Sequence, residues 1–262
     1  MRQSDQKELI QQLLPIARVA GDAIMAVYTR GTPEVQLKED DSPVTEADLA
    51  AHRVLASRLK PLLPECPVVS EEDAGSLVCR QSHGRFWLLD PLDGTKEFIA
   101  RNGEFKVNIA LIEDNRRLLG VVYAPAIDVL YWGGAGFGAF RCMGGQTVAI
   151  KVAASNPGKA SRVVASKSHL NEATRSLIDR LGEVSLVQAG SSLKFCRVAE
   201  GEADIYPRLA PTCERDTAAA QAVLEGAGRV VVDLQGAPLR YGKPDVLNPS
   251  FIATRDTALI PA

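Results

Sequence analysis

Phe86-Trp87-Leu88-Leu89-Asp90-Pro91-Leu92-Asp93-Gly94-Thr95 runs from an apolar tetrad into two acids, a proline and a glycine. Phe86 to Asp90 reads as a buried strand ending on a carboxylate, where α/β proteins tend to place ligands. Pro91 fixes the backbone and withholds an N–H, so the chain can present the Leu92 carbonyl. Gly94 permits the tight turn that holds Asp93. If Thr95 opens a helix, the Gly94 and Thr95 amides aim at one spot with the positive end of the dipole behind them. The plainer reading is a solvated turn, since Asp-Gly is among the commonest turn dipeptides.

On the N-terminal side, Leu9, Leu13, Ala17, Ala20, Ile24 and Val27 recur at helical spacing, which predicts a helix from Lys7 to Tyr28. Pro15 either kinks it or marks its first turn. Thr45 to Lys60 reads as a second helix with Ala47, Ala51, Val54, Leu55 and Leu59 inward and Pro61 ending it. Val68 to Ser70 is a short strand. Beyond the central stretch, Phe105 to Ile112 and Leu118 to Tyr123 flank the turn Glu113-Asp114-Asn115-Arg116, and Val129 to Trp132 and Gly138 to Arg141 continue the meander. Two helices followed by hairpin-linked strands predict a helix layer over a largely antiparallel sheet. Ala154 to Lys159 reads as a linker. After it, Arg162 to Ser166, Asn171 to Leu181, Val184 to Ala189 and Ser192 to Glu200 alternate strand and helix; the helix Asp216 to Ala227 and strand Arg229 to Val232 follow. The expected division is therefore 1–155, helices and antiparallel sheet, and 156–262, α/β.

Glu71, closing the strand Val68 to Ser70, adds a third acid to Asp90 and Asp93. Carboxylates and a carbonyl without His or Cys suit a hard cation such as Mg²⁺, which keeps waters and shares its shell with phosphate. A phosphate monoester repels both hydroxide and carboxylates, and divalent ions reverse this, two of them ~3.5 to 4 Å apart forming the usual clamp. Asp48 lies three residues after Thr45 and reads locally as the acid of a capping box; its functional reading pairs it with the Thr95 hydroxyl to deprotonate an attacking water.

The 262 residues carry a formal charge of −2, so no overall basic field collects nucleic acid or anionic lipid. Five scattered cysteines form no Cys-x-x-Cys pair, and His52, His83 and His169 share no ligand spacing, which argues against structural zinc and a disulfide scaffold. The first eight residues are polar, unlike a signal peptide, and no uninterrupted apolar run approaches the ~18 to 20 residues of a membrane span. The expectation is a cytoplasmic protein with no integral membrane segment and no obligate protein partner; peripheral association at the inner membrane face stays open.

Four segments occur in order: Pro43-Val44-Thr45-Glu46-Ala47-Asp48, Ser70-Glu71-Glu72-Asp73, Asp90-Pro91-Leu92-Asp93-Gly94-Thr95 and Asp216-Thr217-Ala218-Ala219. Together they resemble the inositol monophosphatase superfamily. Asp41 to Thr45, Gly94 to Ile99, Arg101 to Phe105, Gly190-Ser191-Ser192-Leu193-Lys194-Phe195-Cys196, Val121 to Pro125 and Leu247-Asn248-Pro249 are most similar to its CysQ-type 3′(2′),5′-bisphosphate nucleotidase branch. The resemblance implies an α/β (α+β) fold, a layered αβαβα sandwich of the inositol monophosphatase/fructose-1,6-bisphosphatase type. It implies two or three Mg²⁺ ions held by Glu71, Asp90, Asp93, Asp216 and the Leu92 carbonyl. Asp48, Glu71 and Thr95 would be catalytic. Substrate would touch Glu71, Leu92, Asp93, Gly94, Thr95, Gly190, Ser191, Lys194 and Asp216, with Lys194 at the second phosphate or, alternatively, a surface helix lysine. Asp216 is also readable as a helix-start acid. The implied reaction converts adenosine 3′,5′-bisphosphate to AMP and phosphate, in sulfur assimilation. Alternatives are an inositol or sugar monophosphatase with the same metal site, and a non-catalytic nucleotide sensor. The family usually has Trp before its last ligand; here Arg215 stands there, to pair with a substrate phosphate or to face solvent.

Overall fold

A computed structural model describes residues 1–31, 35–38, 43–150, 161–165 and 171–261. The linker Ala154 to Lys159, the 155/156 division, His169, Ser166 and the Asp41-Ser42 part of the resemblance lie outside them.

The elements run α1 Gln3–Thr29, β1 Val35–Leu37, β2 Pro43–Thr45, α2 Glu46–Leu59, β3 Val68–Ser70, α3 Cys79–Ser82, β4 Arg85–Asp93 and α4 Thr95–Ile99. Then come β5 Lys106–Glu113, β6 Arg116–Ala124, β7 Val129–Gly134, β8 Gly138–Met143 and β9 Gln146–Ile150. The chain continues with β10 Ser161–Ala165, α5 Glu172–Arg180, β11 Val184–Gln188, α6 Leu193–Glu200, β12 Ile205–Arg208, α7 Glu214–Gly226, β13 Val230–Asp233 and β14 Phe251–Thr254. β3 through β9 form a sheet in sequence order, antiparallel except for the parallel β3–β4 pair. A second sheet is ordered β11-β10-β12-β14-β13, parallel over its first three strands and antiparallel over the rest.

Period-2 side-chain alternation makes the layers. On β4, Trp87 and Leu89 pack with Leu13, Ala17 and Ile24 of α1 and Ala51 and Leu55 of α2. Phe86 and Leu88 face the other way, into a core shared with Phe195 of α6, Ala219 and Val223 of α7 and Phe251 of β14. Val107, Ile109 and Leu111 on β5 join the first core, and Ala110 and Ile112 the second. A sheet covered on both faces explains why these strands read as unbroken apolar runs. On the far side of the five-stranded sheet, Leu177 and Ile178 of α5 pack on Val163, Ile205 and Ile252. The order α1/α2, sheet, α6/α7, sheet, α5 is the αβαβα sandwich.

Close approach sets the middle layer. A Cβ on Gly120 of β6 would stand 2.1 Å from the Ala219 carbonyl oxygen, so only glycine lets the alanine face of α7 lie this near the sheet. Helix α1 is long and apolar enough to cross a membrane by length and composition, but its Leu9, Leu13, Ala17, Ala20 and Ile24 stripe is buried in the protein core. It starts at Gln3, with Arg2 and Asp5 at its cap, so Pro15 lies in mid-helix rather than in the first turn.

Candidate active site

The strand β4 should send Asp90 and Asp93 to opposite faces, because three residues separate them. The ladder to β5 shows otherwise: Asp90 pairs with Asn108 and Asp93 with Lys106, with a register shift between. Three residues of β4 thus span two of β5, a β-bulge at Pro91-Leu92. The bulge turns both acids to the face that carries Phe86 and Leu88, toward α7. Leu92 itself packs with α1 and α2.

The acid Asp93 is enclosed and well supported. Asn108 Nδ2 and the Ser192 amide donate to Oδ2, each at 3.2 Å; Ser191 Oγ donates to Oδ1; Lys106 Nζ stands 3.5 Å away. Burial pushes its pKa up, but the Lys106 charge and the serine donors outweigh burial and hold the carboxyl below its usual range. Asp90 is the opposite case. It is 3% exposed, and its Oδ1 has no hydrogen-bond partner. Burial, then the charges of Glu71, Asp93 and Asp216, raise its pKa well above normal. Asp216 sits on the first turn of α7, where Oδ2 accepts from the Cys213 amide at 2.8 Å; burial pushes its pKa to about 6 against the opposing charge of Arg215. Glu71 follows β3, with Oε1 2.9 Å from Lys38 Nζ and Oε2 3.0 Å from Arg215 Nε.

Asp48 makes both the cap contacts to Thr45 and a hydrogen bond to the Thr95 hydroxyl. Its Oδ2 accepts from the Thr45 amide and hydroxyl, each at 2.7 Å, at the start of α2, and its Oδ1 accepts from Thr95 Oγ1 at 3.1 Å. Burial raises its pKa, opposed by the Thr45 and Thr95 hydrogen bonds. The Thr95 hydroxyl also lies 3.3 Å from the Leu92 carbonyl. Gly94 has φ +96°, the left-handed conformation a glycine adopts freely, and a Cβ there would meet the Glu104 carbonyl at 3.0 Å. Helix α4 is only five residues long, so its dipole is weak and its anion-binding capacity rests on the amides themselves.

A cavity of about 500 Å³ is lined by Glu71, Asp90, Asp93, Thr95, Asp216 and Lys194. Gly94, Gly190, Ser191, Leu92 and Arg215 also line it. Lys194 is no surface lysine: it is 3% exposed, donates to the Ser191 carbonyl at 3.3 Å and lies over the Tyr206 ring. Burial, helped by the nearby charges of Lys106 and Arg208, lowers its pKa to about 8. Arg215 lines this cavity with its side chain partly exposed, and its guanidinium lies among the acids. Sequence reading missed Lys38, Lys106, Asn108, Tyr206 and Arg208. The available signal was Lys106 and Asn108, polar residues two apart on the otherwise apolar β5.

Among the described residues, no three His, Cys, Asp or Glu side chains stand as a ready-made metal cage. Lys38 and Arg215 hold Glu71, and the serines hold Asp93. The chemistry of the set still fits a hard divalent cation: Glu71, Asp90, Leu92, Asp93 and Asp216 line one cavity, and Asp90 carries an orphaned oxygen with three further carboxylates, those of Glu71, Asp93 and Asp216, acting on it against the single charge of Arg215.

Residues 5–261 match the family model described as the inositol monophosphatase family. The chain is 48% identical over 248 residues to the 3′(2′),5′-bisphosphate nucleotidase CysQ of Salmonella typhimurium, covering 94% of this chain and 99% of the relative. It is 49% identical to the protein of the same name from Escherichia coli K12, covering 93% and 98%. The structure of CysQ from Bacteroides thetaiotaomicron superposes with a TM-score of 0.80 at 38% identity, covering 93% of this chain and 97% of that one. The suhB protein of Bartonella henselae, at 24% identity and a TM-score of 0.77 over 97% and 96% of the two chains, shares the fold.

Proposed function

The chain belongs to the inositol monophosphatase family, and from that premise we propose that it is a Mg²⁺-dependent 3′(2′),5′-bisphosphate nucleotidase converting adenosine 3′,5′-bisphosphate to AMP and phosphate. The observation that carries the reading is Asp90: a buried, unpartnered carboxylate faced by Glu71, Asp93 and Asp216 in the cavity that Lys194 also lines.

In this reading Glu71, Asp90, Asp93, Asp216 and the Leu92 carbonyl hold Mg²⁺, which when bound offsets the phosphate's charge and acidifies nearby water. Asp48 and Thr95 move the proton: water gives it to Thr95 Oγ1, and the hydroxyl passes its own to Asp48 Oδ1, 3.1 Å away. The raised pKa of Asp48 makes it a better acceptor than an exposed aspartate. The Gly94 and Thr95 amides orient the scissile phosphate. Gly190 and Ser191 shape the substrate wall, and Ser191 also fixes Asp93. Lys194 takes the second phosphate, with its ammonium pre-positioned by Ser191 and Tyr206. Lys106 positions Asp93 without touching substrate. The two-part division at 155/156 would then place Asp216 and the substrate loop on one half and the other ligands on its partner. The proposed setting is the cytoplasm.

Phosphate release with Mg²⁺ should favour adenosine 3′,5′-bisphosphate over inositol 1-phosphate and fructose 1,6-bisphosphate. Preference for either sugar phosphate would replace the nucleotide assignment with the sugar one. Nucleotide binding without phosphate release under any divalent metal would make the protein a sensor.

A further inference from the structure

Arg215 sits at the second position of α7, where a cation opposes the helix dipole, so the helix does not explain its placement. The acids do. Its Nε lies 3.0 Å from Glu71 Oε2 and 3.8 Å from Asp216 Oδ1, and its charge also acts on Asp90. Lys38 takes the other Glu71 oxygen, so both oxygens of that acid face a cation. Yet the grip on Arg215 is undirected: its Nε makes no hydrogen bond of proper geometry with any acceptor. The side chain is also 26% exposed, which leaves it a way out.

We propose that Arg215 is a resident counter-cation that competes with the divalent ion for Glu71 and Asp216 and, once displaced, swings within the same cavity to meet the substrate's phosphate. The inference rests on the metal-site reading above. It makes Arg215 a residue that sets metal affinity and couples metal loading to anion binding. A guanidinium and a divalent ion cannot share the same carboxylate oxygens, and Arg215 carries a fixed charge at any working pH. The exchange trades one bound cation for another of higher charge, and the released guanidinium regains a partner only when a phosphate arrives.

The test is a Mn²⁺ titration of wild type, Arg215→Met, Arg215→Gln and Asp93→Asn, following free Mn²⁺ by its electron paramagnetic resonance signal, with and without inorganic phosphate. Near-UV circular dichroism checks that each variant is folded, and the glutamine variant stands in should methionine disturb the packing. Without phosphate, removal of the competing charge should tighten Mn²⁺ binding on the order of tenfold, the scale of one partly buried ion pair. Phosphate should tighten binding more in wild type than in either Arg215 variant. Equal or weaker affinity in both folded variants overturns the competition while leaving the metal site standing. An equal phosphate effect overturns the swing. If wild type binds Mn²⁺ no better than Asp93→Asn, the metal-site reading fails and takes this proposal with it.

Discussion

Replacing Lys106 by methionine removes a positive charge from a fully enclosed position on β5, 3.5 Å from Asp93 Oδ2 and 3.0 Å from the Glu104 carbonyl that its ammonium donates to. Methionine retains most of the stem's volume, so the change is one of charge rather than of packing. Breaking a buried pair by deleting one partner costs about 3–5 kcal/mol. Asn108, Ser191 and Ser192 still donate to Asp93, which places this case at the lower end, about 3 kcal/mol. At ~2–4 °C per kcal/mol for a protein of this size, the Tm in chelator should fall by ~6–12 °C. Mg²⁺ should raise the variant's Tm by more than it raises that of wild type, because a cation beside Asp93 restores the missing charge. The acid limb gives a sign to check. The folded carboxyl of Asp93 titrates below its unfolded range, so its stabilisation is present above the unfolded pKa and is lost as pH falls through the folded one. Lys106→Met should flatten that acid loss. Thermal unfolding followed by circular dichroism across pH reads both effects. A Tm within ~2 °C of wild type in chelator would refute the reasoning, since under 1 kcal/mol is too little for a buried pair.

Asp93→Asn keeps size and removes a ligand charge, so turnover should drop by orders of magnitude in a folded protein; wild-type-like turnover would discard the ligand assignment. For Thr95→Ala the loss should appear in kcat more than in KM, because the hydroxyl that donates to Asp48 matters most while the proton moves; a pure KM effect would make Thr95 a binding residue only. Lys194 loses its proton as pH rises through about 8, so KM for a bisphosphate should climb above that pH, and Lys194→Gln should abolish the climb. An unchanged profile in Lys194→Gln would remove it from the second-phosphate site.

Periodicity carried most of the architecture because side-chain alternation is the layering itself: on β4 up to Asp90, on β5 and on β6 from Leu119, odd residues face α1 and α2, even ones α6 and α7. The turn at Asp114-Asn115 was equally legible, both residues adopting positive φ. The β12 strand was not, since Pro207 argues against a central strand; its one registered pair to β10 is Val163 with Ile205, which leaves room for the missing donor. Strand β9 is an edge, largely exposed and without an inward apolar alternation to reveal it. In the site, the acids were readable from their positions at strand ends and helix starts. Their supports were not: Lys38 gains meaning only from folding, Lys106 offered no more than its polarity on an apolar strand, and Glu71, the partner of Arg215, is 144 positions earlier in the chain, well beyond local pattern.

The extra residue at Pro91-Leu92 makes this centre a matter of parity. Side chains on a strand alternate, so with the chain length unchanged, pairing these residues one for one with β5 would straighten the ladder and turn one of the two acids into the apolar layer beneath α1 and α2. No graded sequence of small adjustments joins the two arrangements, because an acid lies either above the sheet or below it. A lineage carrying this fold can retune its pocket walls by ordinary substitution, but straightening the bulge between Asp90 and Asp93 without removing a residue switches the centre off in one step.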